Sequence, residues 1–106
     1  MNGIGRSQID EALAAGSIRW REHRIDRMRE RGLRVADLVD LLRHGDLIEQ
    51  DPGRRPFPTA VLRGHVGTRA LHVVVGWQPA GAVLHVITVY DPDLAHFEAG
   101  MSRRRR

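Results

Sequence analysis

Thr59-Ala-Val-Leu-Arg-Gly-His-Val66, Ala70-Leu-His-Val-Val-Val-Gly-Trp77 and Val83-Leu-His-Val-Ile-Thr-Val-Tyr-Asp91 are three runs rich in β-branched and aromatic residues, and their reading decides the fold. Gly67-Thr68 separates the first two and Pro79-Ala80-Gly81 the last two. Connections this short join only antiparallel neighbours, so the runs predict a three-stranded antiparallel meander. Tight turns fix register, and register decides which side chains share a face. With the second hairpin centred on Pro79-Ala80-Gly81, His72 falls opposite Thr88, Val73 opposite Ile87 and Val75 opposite His85. Leu71, Val73, Val75, Trp77, Val83, Ile87 and Val89 then form an apolar face, and His72 and His85 lie on opposite faces. The first hairpin sets Arg63 beside His72, so the second face gathers Arg63, His72, Thr88 and Tyr90, among Val74, Leu84 and Val86.

A meander of this size cannot stand alone and needs helices over its apolar face. The residues before it supply them. Val35, Leu38, Val39 and Leu42 recur at i, i+3, i+4 and i+7, and Gly45 closes that helix. Ser7 and Asp10 resemble a capping box ahead of Ile9, Ala12 and Leu13, with Gly16 ending the pattern. Between these, Ile18 to Arg31 reads as a helix with Ile18, Ile25 and Met28 on one side and Gly32 at a left-handed cap. Asp46 to Asp51 reads as a short strand, and the prolines of Pro52-Gly53-Arg54-Arg55-Pro56-Phe57-Pro58 enforce a loop. The expectation is an α+β fold with N-terminal helices packed on one face of a small antiparallel sheet. One domain spans 1–106, its core over about 17–97, with loose ends at 1–6 and 98–106 that include the Arg103 to Arg106 tail.

All 17 basic residues are arginine, against 13 acids, for a formal charge of +4. A guanidinium binds phosphate through a planar donor fork and stacks on bases, so a polyanion, RNA above all, is the natural partner. Biased composition accounts equally for the absence of lysine. No cysteine occurs, which excludes disulfides and Cys-ligated zinc. Six histidines show no helical metalloprotease spacing, so neither metal nor cofactor is expected. The absence of a long apolar stretch predicts no membrane span and a cytoplasmic protein.

Two constellations carry chemistry. His23, Arg27 and Arg31 recur at i, i+4 and i+8 on the predicted second helix, a stripe that could hold phosphate beside an imidazole, or serve as a plain solvated face. Arg63, His72, Thr88 and Tyr90 form the other. Cleavage of RNA by its own 2′-OH needs a base, an acid and a cation for the pentacoordinate phosphorane, and this set offers all of them without a metal. The competing reading makes His72 and Tyr90 ordinary residues of a half-buried sheet.

Four segments together resemble the domain-of-unknown-function 4258 family: His23-Arg-Ile-Asp-Arg-Met-Arg-Glu-Arg-Gly-Leu33, Val39 to Ile48 with Arg43-His44-Gly45, Leu71-His-Val-Val-Val75, and Ile87-Thr-Val-Tyr90. Proteins of that family look like RelE/ParE-type toxins, with helices on one side of an antiparallel sheet and genes beside zinc-finger or helix-turn-helix antitoxins. The resemblance implies the toxin of a type II toxin–antitoxin pair, an endoribonuclease acting on mRNA free or at the ribosome and silenced by an acidic antitoxin. His23, His72, Thr88 and Tyr90 become candidate catalytic residues, and Arg27, Arg31 and Arg63 candidate phosphate ligands. Arg34 departs from the pattern, since a small polar helix cap is usual there. A non-catalytic nucleic-acid-binding module or a partner-binding domain is the alternative.

Overall fold

The computed structural model describes residues 4–20, 26 and 28–92. Helix α1 (Arg6–Ala15) starts without the predicted box: the Gln8 side chain accepts the Gly5 amide at 2.9 Å, and Asp10 instead pairs with Arg6 at 3.0 Å. It stops where expected. Gly16 takes φ 68°, and the Gly16 and Ser17 amides donate to the Leu13 and Ala12 carbonyls at 3.2 and 2.8 Å, consuming the free acceptors of the last turn. Ile4, within the segment predicted to be loose, is fully buried.

The helix predicted from Ile18 to Arg31 is not one element. Ile18–Trp20 is a strand, β1, running parallel to β5 (Val83–Tyr90) with Ile18 opposite Leu84 and Trp20 opposite Val86. Ile18 and Trp20 are shapes that suit a pleated surface, and the left-handed turn at Gly16 aims the chain along β5, where the Ser17 carbonyl accepts the Leu84 amide at 3.0 Å. Helical structure returns by residues 28–30. It ends at Gly32 (φ 77°), and the Leu33 amide returns to the Met28 carbonyl at 2.8 Å with both side chains buried.

Helix α2 (Val35–His44) matches its predicted span. The missing polar cap at Arg34 is made good from within the helix. The Asp37 carboxylate accepts the Arg34 amide at 3.0 Å and the Arg34 guanidinium at 3.1 Å, so a first-turn acid does the work of a cap side chain. At the other end, Arg6 donates to the carbonyls of Leu42, Arg43 and Gly45, fixing α1 against α2.

Strands β2 (Asp46–Asp51), β3 (Thr59–Val66), β4 (Arg69–Gln78) and β5 are antiparallel neighbours, giving a five-stranded sheet ordered β1-β5-β4-β3-β2. The protein is thus a small α+β fold, and its sheet is mixed rather than antiparallel because of β1. The helices cover one face. Ile9 and Ala12 of α1 and Leu38, Leu41 and Leu42 of α2 pack with Leu62, Leu71, Val73, Val75, Leu84 and Val86 in one core, where each large side chain contributes about 1.5–3 kcal/mol by leaving water. Contact between α2 and β3 is close enough to require glycine: a Cβ on Gly64 would lie 2.8 Å from Leu41 Cγ, and one on Gly45 2.6 Å from the Leu41 carbonyl oxygen.

The second hairpin departs from the predicted register twice. Its loop holds Pro79 to Ala82, with the Ala82 amide on the Pro79 carbonyl at 3.0 Å, so Gln78 pairs with Val83 and Val75 with Val86. A bulge between Val74 and Val75 then leaves Ile87 without an opposite residue, and beyond it His72 pairs with Tyr90 and Val74 with Thr88. Between turn and bulge the faces are therefore the reverse of those predicted: Leu84 and Val86 are in the core, while Val83 and Ile87 are only half-buried. His85 joins His72 on the open face, opposite Gly76, contrary to the predicted separation. Past the bulge the two single-residue shifts cancel in parity, which returns Thr88 and Tyr90 to the face of His72.

Candidate active site

On the sheet face opposite α1 and α2, consecutive strands bring Arg63 of β3 opposite His72 of β4, and His72 opposite Tyr90 of β5. Nδ1 of His72 lies 3.2 Å from the Tyr90 hydroxyl, and the rings meet edge to face with centroids 5.3 Å apart. This contact sets the tilt of the imidazole and leaves the two groups to share a proton in whichever direction the tautomer demands. Thr88, opposite Val74, sits one step along β5 on the same face and is half-buried. The Arg63 guanidinium is 54% exposed and rests 3.7 Å from the Asp46 carboxylate, close enough for attraction but beyond good hydrogen-bond length. A phosphate arriving there meets an extended, accessible donor fork.

Arg31 does not join this row. Arg31 lies in the turn below the helical segment, and its carbonyl accepts Arg69 Nη1 at 2.6 Å. Arg69 alternates in phase with buried Leu71 and Val73, so the Arg31 backbone stands on the helix-bearing side of the sheet, away from His72. His23 and Arg27 lie outside the described residues.

Farther along the open face the loop between β2 and β3 folds back. The Phe57 ring stacks on His85 at 5.2 Å and 15°, the Pro58 carbonyl accepts the Trp77 amide at 2.9 Å, and His85 Nε2 meets Gln78 Oε1 at 2.9 Å. Gly76 permits this cover, since a Cβ there would come within 3.2 Å of Ile87 Cδ1 and 3.9 Å of Phe57. His85 is thus packed under an aromatic side chain, whereas in the row Arg63 is exposed and His72 and Tyr90 are half-buried.

Two further features were not foreseen. A bulge at Ile48 places Asp46, Glu49 and Asp51 opposite Arg63, Val61 and Thr59, so that all of these acids border the open face along β2. A groove of about 290 Å³ opens at the corner where α2 meets β3, lined by Asp40, His44, Asp46, Arg63 and His65. Among the described residues no set of three or more histidines and acids is placed to hold a metal ion, and no helix is long and apolar enough to cross a membrane. His65 was legible in principle. It stands two residues from Arg63 on a strand, hence on the same face, but it fell in no motif.

No curated protein matches the chain. A family model does, over residues 20–91, a span that begins at the end of β1 and contains α2, the four antiparallel strands and the whole row of Arg63, His72 and Tyr90. By that match the chain belongs to the family described as Domain of unknown function (DUF4258).

Proposed function

We propose that the protein is a metal-independent endoribonuclease, the toxin of a type II toxin–antitoxin pair of RelE/ParE type, cutting mRNA in the cytoplasm. The observation that carries this reading is the cross-strand row of Arg63, His72 and Tyr90 on one sheet face, with Arg63 exposed and His72 held by Tyr90 at 3.2 Å. His72 takes the proton of the 2′-OH, and Arg63 stabilises charge on the phosphorane oxygens. Thr88 borders the reacting phosphate. The excess of arginine over acid supports an RNA partner. The family motif adds His23 as a further candidate acid or base and Arg27 and Arg31 as phosphate ligands. A cognate antitoxin silences the protein by laying an acidic segment over Arg63 and His72.

Induced expression of the wild type beside His72→Ala, with growth and total RNA ends followed in the same cultures, tests this. Arrest with new 5′-hydroxyl ends in the wild type, abolished in His72→Ala at equal protein level, is the expected result. RNA binding that weakens steeply with salt while no strand is cut would replace the nuclease by a binding module.

A further inference from the structure

Cleavage by a 2′-OH moves two protons at opposite ends of the phosphodiester: one leaves the nucleophile and one must reach the 5′ oxygen as its bond to phosphorus breaks. The row of Arg63, His72 and Tyr90 presents its titratable groups together, His72 against Tyr90, on one side of Arg63. The register supplies a further group along β3. His65 shares the open face of β3 with Arg63, two residues on, and is diagonal to His72, since Arg63 pairs with His72 and His65 with Ala70. Diagonal neighbours of this kind stand ~7–8 Å apart between backbones, a span that accommodates a phosphate between two imidazoles. The position opposite His65 is Ala70, a small side chain. His65 is exposed and lines the groove that Arg63 also lines, and Arg63 is its neighbour along β3 and the cross-strand partner of His72.

Resting on the ribonuclease reading, we propose that His65 is the second proton-transfer residue, the general acid of the reaction. His72 accepts the 2′-OH proton as the O2′–P bond forms. The His65 imidazolium then donates its proton to the 5′ oxygen as the P–O5′ bond breaks. The products are a 2′,3′-cyclic phosphate and a 5′-hydroxyl, with His72 left protonated and His65 neutral until they exchange protons with water. Arg63 neutralises the phosphorane between them. Among the described residues, the charged and titratable groups that line the groove with His65 are Asp40 and His44 of α2, Asp46 of β2 and Arg63 of β3.

The test uses the purified full chain and two short oligoribonucleotides, one with the natural 5′ oxygen at the scissile bond and one with sulfur bridging there. Sulfur leaves as thiolate without needing a proton. His65→Ala should cleave the natural substrate about 100-fold or more slowly, lose the alkaline limb of the pH–rate profile, and cleave the sulfur substrate at nearly the wild-type rate. Unchanged thermal unfolding would show that the loss is chemical. A wild-type rate on the natural substrate, or an equal loss on both substrates, overturns the assignment while the ribonuclease reading stands. Wild-type protein that cleaves neither substrate overturns that reading and the role of His65 with it.

Discussion

His72 owes its place to a contact that neither residue could make alone. Its imidazole is half-buried between Arg63 and Tyr90, and the hydroxyl at 3.2 Å restricts the ring. Removing the imidazole should lower RNA cleavage by roughly 100- to 10,000-fold, the usual worth of a positioned acid or base. Tyr90→Phe keeps the ring and loses only the hydrogen bond, so its rate should fall less than that of His72→Ala, with unfolding free energy changed by no more than about 1.5 kcal/mol. Single-turnover cleavage beside denaturant unfolding separates the two variants. Asp37 offers a second residue-scale test. Hydrogen bonds from the Arg34 guanidinium and backbone, with the Arg34 charge, hold its carboxyl below the usual carboxylate range. A depressed folded-state pKa means that the carboxylate stabilises α2 above the ordinary carboxylate range and that this stability is lost as pH falls through the lowered value. Melting temperature followed against pH should therefore show Asp37→Asn below the wild type at neutral pH, with the two curves converging in acid.

Among the elements, β5 separates residues that look alike in the sequence. Leu84 is fully buried and Ile87 half-buried because the four-residue loop and the bulge reassign their faces. Leu84→Ala should cost about 2–5 kcal/mol, whereas Ile87→Ala should cost clearly less. The uniform register predicted from the turn alone requires the reverse order, and urea unfolding of the pair decides. The seat of α2 on β3 depends equally on small detail. Gly64→Ala brings a methyl to 2.8 Å from Leu41 Cγ, which should cost about 1–3 kcal/mol. Because one contact is responsible, Leu41→Ala should erase much of that penalty in a double-mutant cycle.

For the molecule as a whole, the two faces of one sheet differ in character. Helices cover one, and the other displays Arg63, His72 and Tyr90 with Asp46, Glu49 and Asp51 along its β2 border. An acidic border repels a phosphate chain, so RNA should approach Arg63 from the β3–β4 hairpin side. The affinity of single-stranded RNA should fall linearly with salt on logarithmic axes, and Arg63→Gln should reduce the slope by about 0.7, the release of counterions at one phosphate. Fluorescence anisotropy across a salt series measures this, and an unchanged slope would remove Arg63 from the phosphate contacts.

What could be read from sequence alone follows from short-range physics. The 3.6-residue period of Val35, Leu38, Val39 and Leu42 sufficed for α2, and Gly16 and Gly32 marked helix ends because their left-handed backbone is costly for other residues. The pairing of Arg63 with His72 followed from the two-residue turn at Gly67-Thr68, which admits one register. Beyond that reach the tertiary structure decided. Ile18 to Trp20 became a strand because the edge of β5 was open to it, a partner more than sixty residues away that no local propensity encodes. The bulge at Ile87 put Leu84 and Val86 into the core because apolar side chains go where helices exclude water, and the ladder yields one residue to allow it.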